Sequence, residues 1–306
     1  MLLRGAAFVF AWLLFGATAN PQQTAGAKFG VRTTLVVVPV SVTDRSNRFV
    51  LGLEKKNFKV FEDGIEQKIS QFSGEDVPLS IGILVDTSAS IGSKISTSRQ
   101  AVSEFLKTMN AQDEAFLIEF NDHANLAVPF THSAVEITDK LASATPDGTT
   151  ALLDAVNLGV ETMKQAHNPR KALLLISDGG ENSSRYTMSE VKETIRKADV
   201  QVYSMGVFDP LAKLGLGLGP VSGPAFLANL CEQTGGRVFP ANSYSALPNI
   251  ARRIGIELRN QYVLAYSPLK QESKGEYRKL EVKVEALPGM PELKARWRLG
   301  YYAPIE

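Results

Sequence analysis

The chain has 306 residues, 44% hydrophobic and 21% charged, an ordinary globular balance with room for one large domain or two modest ones. Its 33 Lys and Arg against 32 Asp and Glu create no field favouring nucleic acid or an acidic surface, and no dense basic stripe occurs. The single cysteine, Cys231, excludes an intrachain disulfide; Leu227 and Leu230 precede it at helical spacing, so it reads as a buried small hydrophobe.

Residues 1–19 read as an export signal. Arg4 supplies the positive charge, Ala6 to Phe15 the apolar run, and Ala17-Thr18-Ala19 a small-x-small cleavage pattern, with Asn20 as the mature start. The apolar run is short for a membrane span, and the alternative is an uncleaved N-terminal anchor. The expected location is secreted or periplasmic, with no stable membrane span in the mature chain. Residues 20–30 are small and polar and read as a linker.

Residues 31–77 read as β strands. Thr33 to Val42 is β-branched and ends at the turn signal Asp44-Arg45-Ser46-Asn47. Phe58 to Phe61 alternates, Glu62-Asp63-Gly64 marks a tight turn, and Gln67 to Phe72 continues as one strand. At Leu79 the pattern changes. Leu79 to Val85 is nearly continuous apolar, as expected of a strand buried on both faces. Helical spacing follows through Ile95, Val102, Phe105 and Met109, then strand-like Ala115 to Phe120 and Ala124 to Val128, then a helix from Ala151 to Val160. Ala172 to Ile176 is a second wholly apolar strand. A helix through Val191 and Ile195, a strand from Val200 to Val207, a helix from Ala225 to Gln233, a strand from Arg237 to Phe239 and a helix through Ile250 and Ile254 complete the block. Strands alternating with helices predict a mostly parallel α/β sheet over residues 78–257. From Gln261 the chain returns to β: Tyr262 to Tyr266, Tyr277 to Ala286 and a last strand from Leu293 to Tyr301. Residues 258–306 thus supply a second half to the first β segment. The fold class expected is an α/β domain inserted in, or flanked by, a small sandwich-like β domain.

Three segments of the α/β block carry oxygen donors where they could meet. Asp86-Thr87-Ser88-Ala89-Ser90 directly follows the first buried strand, at the carboxyl end where open α/β sheets bind ligands. Asp178-Gly179-Gly180 follows the second buried strand in the same way. Gly148-Thr149-Thr150 lies on a loop before a helix. Such hard oxygens suit Mg²⁺, Mn²⁺ or Ca²⁺, whereas no Cys or His pair has the spacing of a zinc site. The bland alternative is that Asp and Ser here only cap helices.

The three segments, Leu84 to Ser90, Asp147 to Leu152 and Leu175 to Gly179, together resemble the metal-ion-dependent adhesion site of the von Willebrand factor type A family, over about Leu79 to Ile256. The resemblance implies a central sheet, mostly parallel with one antiparallel edge strand, between helices. It implies direct metal ligation by Ser88, Ser90 and Thr149, with Thr150 as its neighbour, and direct or water-mediated ligation by Asp86 and Asp178. It also implies a non-enzymatic role in which an Asp or Glu of a protein partner completes the shell of a Mg²⁺ ion. The flanks, Phe58 to Gly64, Gln261 to Tyr266 and Gly300-Tyr301-Tyr302, resemble exported bacterial proteins related to that family.

Two other readings stay open. One is a structural cell-envelope component in which the metal mainly stabilises the fold. The other is a metal-assisted hydrolase, disfavoured because His123, His132 and His167 have no acid–base partner visible in the sequence and no nucleophile elbow or phosphate loop occurs. Finally, residues 209–224 are rich in Gly, Leu and Pro, and Leu214, Leu216 and Leu218 read either as an apolar edge for a partner or as a flexible loop without a role.

Overall fold

The structure, a computed structural model, describes residues 35–208, 223–269, 275–285 and 292–304. The expected signal segment, the linker and nearly all of the 209–224 loop lie outside the described residues.

The central sheet is built by β5 (Leu79–Asp86), β6 (Glu114–Phe120), β7 (Ala124–Thr131), β8 (Arg170–Ile176), β9 (Gln201–Gly206) and β10 (Val238–Pro240). Its order is β10-β9-β8-β5-β6-β7, parallel throughout except for β7, which pairs antiparallel with β6 at one edge. Every residue of β5 is buried, because helices cover both faces. Ile81, Ile83 and Val85 face a layer made by α1 (Ile95–Leu106), α2 (Ala134–Ala142) and α6 (Leu247–Arg259). Leu84 joins the opposite core with α3 (Leu152–Met163), α4 (Met188–Lys197) and α5 (Gly223–Gln233). Gly82 is the space-saver of that second face: a Cβ there would lie 2.3 Å from Phe116 Cζ and 2.5 Å from Leu173 Cδ2. Helix α2 is an element the hydrophobic pattern did not indicate. Its signal was a cap: the Ser133 hydroxyl accepts the Glu136 N–H at 3.3 Å.

The flanking strands form two four-stranded sheets, each mixing strands from before and after the α/β block. One runs β13 (Lys294–Arg296), β1 (Val36–Thr43), β11 (Tyr262–Tyr266), β4 (Ile69–Ser73); the other runs β14 (Gly300–Tyr302), β12 (Tyr277–Val284), β2 (Phe58–Glu62), β3 (Ile65–Gln67). Val38, Val40 and Leu264 of the first sheet share a core with Val60 and Val282 of the second. The α/β block is thus inserted in a sandwich-like β domain.

Two expected strands are each divided in two. The stretch from Gln67 to Phe72 divides between β3 and β4, which belong to different sheets. Alternation runs unbroken through buried Gln67, exposed Lys68 and buried Ile69, so the period of two cannot reveal a change of sheet. The stretch from Leu293 to Tyr301 divides likewise into β13 and β14, and between them the Leu299 N–H donates to the Gln233 carbonyl of α5 at 3.0 Å. Glu62 does more than precede a turn. Buried, it accepts from Arg278 Nη1 at 2.6 Å, Tyr266 OH at 2.6 Å and Tyr301 OH at 2.7 Å, tying the two sheets together.

Candidate metal-binding site

The carboxyl end of the central sheet gathers the loops after β5 and β8 and the loop before α3 into one polar cluster. Asp86, the last residue of β5, is buried, and one carboxylate oxygen accepts the Ser88 N–H at 2.9 Å. That local bond turns the chain back on itself. The other Asp86 oxygen accepts from the Ser177 hydroxyl at 2.8 Å. Ser88 Oγ and Ser90 Oγ are 3.1 Å apart, and the Ser90 hydroxyl donates to Asp178 Oδ2 at 3.2 Å. Ser88 and Ser90 therefore link Asp86 to Asp178, through the Ser88 N–H at one end and the two serine hydroxyls at the other.

Backbone bonds fix the third segment beside this chain. The Ala89 N–H donates to the Gly148 carbonyl at 3.1 Å, and the Asp147 N–H to the Thr87 carbonyl at 3.0 Å. Gly148 (φ 73°) and Gly179 (φ 83°) occupy the left-handed region where both loops turn, a conformation a side chain resists. The two threonines then part ways. Thr149 is exposed, and its hydroxyl shares a 2.6 Å hydrogen bond with Ser183 Oγ. Thr150 is buried, and a Cβ built on Gly180 would lie 3.2 Å from Asp178 Oδ1 and 3.5 Å from Thr150 Oγ1. The Thr150 hydroxyl and the Asp178 carboxylate therefore border the same point on Gly180.

Residues the sequence did not single out complete the surroundings. Ser177 orients Asp86, and its only sequence signal is its place next to Asp178. Asn182 holds the threonine loop: its side chain accepts the Thr150 N–H at 2.8 Å. Glu181 caps α3 by accepting the Leu153 N–H at 2.9 Å. Tyr244 follows β10, and the ammonium of Lys94 stands 4.7 Å from its ring centroid.

The electrostatics follow from burial. Desolvation pushes the Asp86 carboxyl above its ordinary range, the Ser88 and Ser177 hydrogen bonds offset part of that, and the Asp178 charge adds to the rise. Burial also raises the Tyr244 phenol, with the Asp178 and Asp86 charges adding to it. Among the described residues neither Asp86 nor Asp178 forms a salt bridge. The described residues hold no group of three or more His, Cys, Asp or Glu side chains able to bind a metal. An ion here would rest on two carboxylates plus hydroxyls. That donor set is all hard oxygen and fits Mg²⁺, Mn²⁺ or Ca²⁺.

The histidines are occupied elsewhere or exposed. His167 donates its backbone N–H to Glu114 at 2.7 Å and places Nδ1 2.9 Å from the same carboxylate, a partner the sequence did not reveal. His132 Nδ1 lies 2.6 Å from the Asp113 carbonyl, and His123 Nδ1 lies 2.8 Å from Asp122. Cys231 is buried, as expected, and burial pushes its thiol up.

The arrangement defines a class: an open, mostly parallel α/β domain with a polar cluster at the carboxyl ends of its strands. Residues 81–181 match the family model of the von Willebrand factor type A domain. The first two of three similar solved structures share the fold. A von Willebrand factor type A protein from Catenulispora acidiphila is 9% identical, with 90% of this chain and 75% of that one covered and a TM-score of 0.52. Proximal thread matrix protein 1 from the mussel byssus is 18% identical over 65% of this chain and 51% of its own, with a TM-score of 0.50. BatB from Bacteroides thetaiotaomicron is 18% identical over 58% of this chain and 98% of its own, with a TM-score of 0.46. No curated protein matches the chain. No helix among the described residues is long and apolar enough to cross a membrane.

Proposed function

We propose that this chain is a divalent-metal-dependent protein-binding module of an exported protein, without chemistry of its own. Asp86, Ser88, Ser90 and Asp178 hold a Mg²⁺ ion, or Mn²⁺ or Ca²⁺, directly or through water, and an Asp or Glu of a protein partner completes the shell. Of the two threonines, Thr150 is the better placed for the ion, and Thr149 borders it. The observation that carries this reading is the linking of Asp86 and Asp178 through Ser88 and Ser90 with no salt bridge to either carboxylate among the described residues. Like charges held together in this way favour an external cation.

Two carboxylates against a divalent ion leave it little excess negative charge to repel an incoming acid. The apolar segment near residue 10 and its small-residue cleavage pattern support export. The test is a pull-down of exported proteins in Mg²⁺ and in EDTA, with wild type and Ser88→Ala side by side. Capture that needs both the ion and Ser88 supports the reading. Equal capture in EDTA overturns it. An EDTA effect confined to a lower melting temperature would favour the structural reading instead.

A further inference from the structure

Lys94 and Tyr244 border the oxygen cluster on one flank. The turn Gly92–Lys94 begins two residues after Ser90, so Lys94 belongs to the same loop as the serines. Tyr244 opens the turn Tyr244–Ala246 just past β10, and the parallel pairing of β10 with β9 puts that turn at the carboxyl end of the sheet. The Tyr244 ring is half-buried against the core shared by Ile83, Val85 and Leu247, which fixes its plane. Lys94 is exposed, and its ammonium sits over that ring at 4.7 Å. A cation–π contact of this kind locates a flexible side chain without neutralising it.

The other flank is acidic. Asp122 lies in the β6–β7 turn with its side chain 57% exposed, and a Cβ on Gly148 would lie 3.5 Å from its carboxylate. Asp147, also exposed, precedes Gly148. The face is therefore polarised, with carboxylates on the β6–β7 side and an ammonium on the β9–β10 side.

We propose that Lys94, located by Tyr244, is the second recognition contact of this face and reads an acidic group beside the carboxylate that reaches the metal. This rests on the metal-dependent binding proposed above. The partner segment then carries two acidic side chains close together. In an extended segment, side chains two residues apart share a face and lie about 7 Å apart, so an Asp-x-Asp arrangement fits. Asp122 and Asp147 repel a second acid on their own flank, so the same charges set the direction in which the segment lies.

The test uses the full chain in Mg²⁺ and three labelled peptides: Gly-Asp-Gly-Asp-Gly and its versions with Asn or Lys in place of the second Asp. The diacid is expected to bind about two- to fivefold more tightly than the Asn version, the range of an exposed charge pair. Lys94→Met is expected to erase that preference, and Lys94→Glu to shift it to the Lys peptide. Lys94 is exposed, so neither substitution threatens folding. Equal binding of diacid and Asn peptide by wild type, or a preference that survives Lys94→Met, overturns the proposal and leaves metal-dependent binding standing. If no peptide binds in Mg²⁺, the acidic-ligand reading falls and the role of Lys94 falls with it; calorimetry with Mg²⁺ alone then tells whether the ion site fails too.

Discussion

The two ends of the central sheet use the same residue types to opposite purposes. At the amino end, buried carboxylates are neutralised within the protein. Asp113 accepts the Leu79 N–H at 2.9 Å and the Asn110 N–H at 2.8 Å and pairs with Arg259. Glu257, fully buried, pairs with Arg237 and lies 3.4 Å from Tyr203 OH. Arg170, equally buried, donates to Gln261 at 2.6 Å, and Gln261 reaches Ser41 of the β domain at 3.1 Å. At the carboxyl end, Asp86 and Asp178 meet, among the described residues, hydroxyls and amides only. One end is closed electrostatically and joins the domains; the other holds two carboxylates with no cationic partner among the described residues. A carboxylate's neighbours, more than its burial, tell which purpose it serves.

The sharpest way to break that contrast is to open the closed end. Glu257→Ala strands the Arg237 guanidinium and should cost about 3–5 kcal/mol in urea unfolding, while Mg²⁺ affinity measured on the folded fraction stays near wild type. A loss of Mg²⁺ binding as large as the loss of stability would mean that the two ends are not separate.

The converse substitution comes next. Asp178→Ala should weaken Mg²⁺ binding at least tenfold by calorimetry, about 1.4 kcal/mol or more. In EDTA its unfolding free energy from urea titration should stay within about 0.5 kcal/mol of wild type, because the lost carboxylate is half-exposed and has no cationic partner among the described residues. Wild-type affinity in this variant would remove Asp178 from the site.

Thr150→Val against Thr149→Val sharpens the ligand set. The first should weaken Mg²⁺ binding. The second should lose only the bond to Ser183, about 0.5–1.5 kcal/mol of stability. The reverse outcome would return the role to Thr149.

The smallest effect is a pH dependence at the amino end. Burial alone would raise the Glu114 carboxyl, but the Ser80 hydroxyl, the His167 N–H and the His167 ring together hold it below its ordinary range. The unfolded chain therefore binds this proton more readily than the folded one. Glu114 stabilises the fold above about pH 4.5 and loses that contribution as the pH falls through its depressed value. Urea midpoints of wild type and Glu114→Gln should differ at pH 6 and converge towards pH 3. A constant gap would show that Glu114 acts through packing.

Much of this was legible in the chain. The continuous apolar runs of β5 and β8 are as expected of strands covered on both faces, and in a parallel sheet the residues that follow such strands share one end. That reasoning places Asp86 and Asp178 together without any structure. Less legible was whatever depends on how one backbone passes another. The pattern of alternation did not show where a strand changes sheet, and the spacing of Gly148-Thr149-Thr150 did not say which hydroxyl turns inward. The bond from Thr150 N–H to Asn182 and that from the Ala89 N–H to the Gly148 carbonyl fix it, and both join segments far apart in the chain.

The same division applies to charge. Sequence by itself determined which residues carry carboxylates and hydroxyls at the strand ends, because local hydrophobic period and strand order are one-dimensional properties. Only the tertiary structure decided that Glu257 and Asp113 meet arginines while Asp86 and Asp178 meet serines, and that Lys94 rests on Tyr244. Coulomb energies depend on distances through space, and those exist only once the chain has folded.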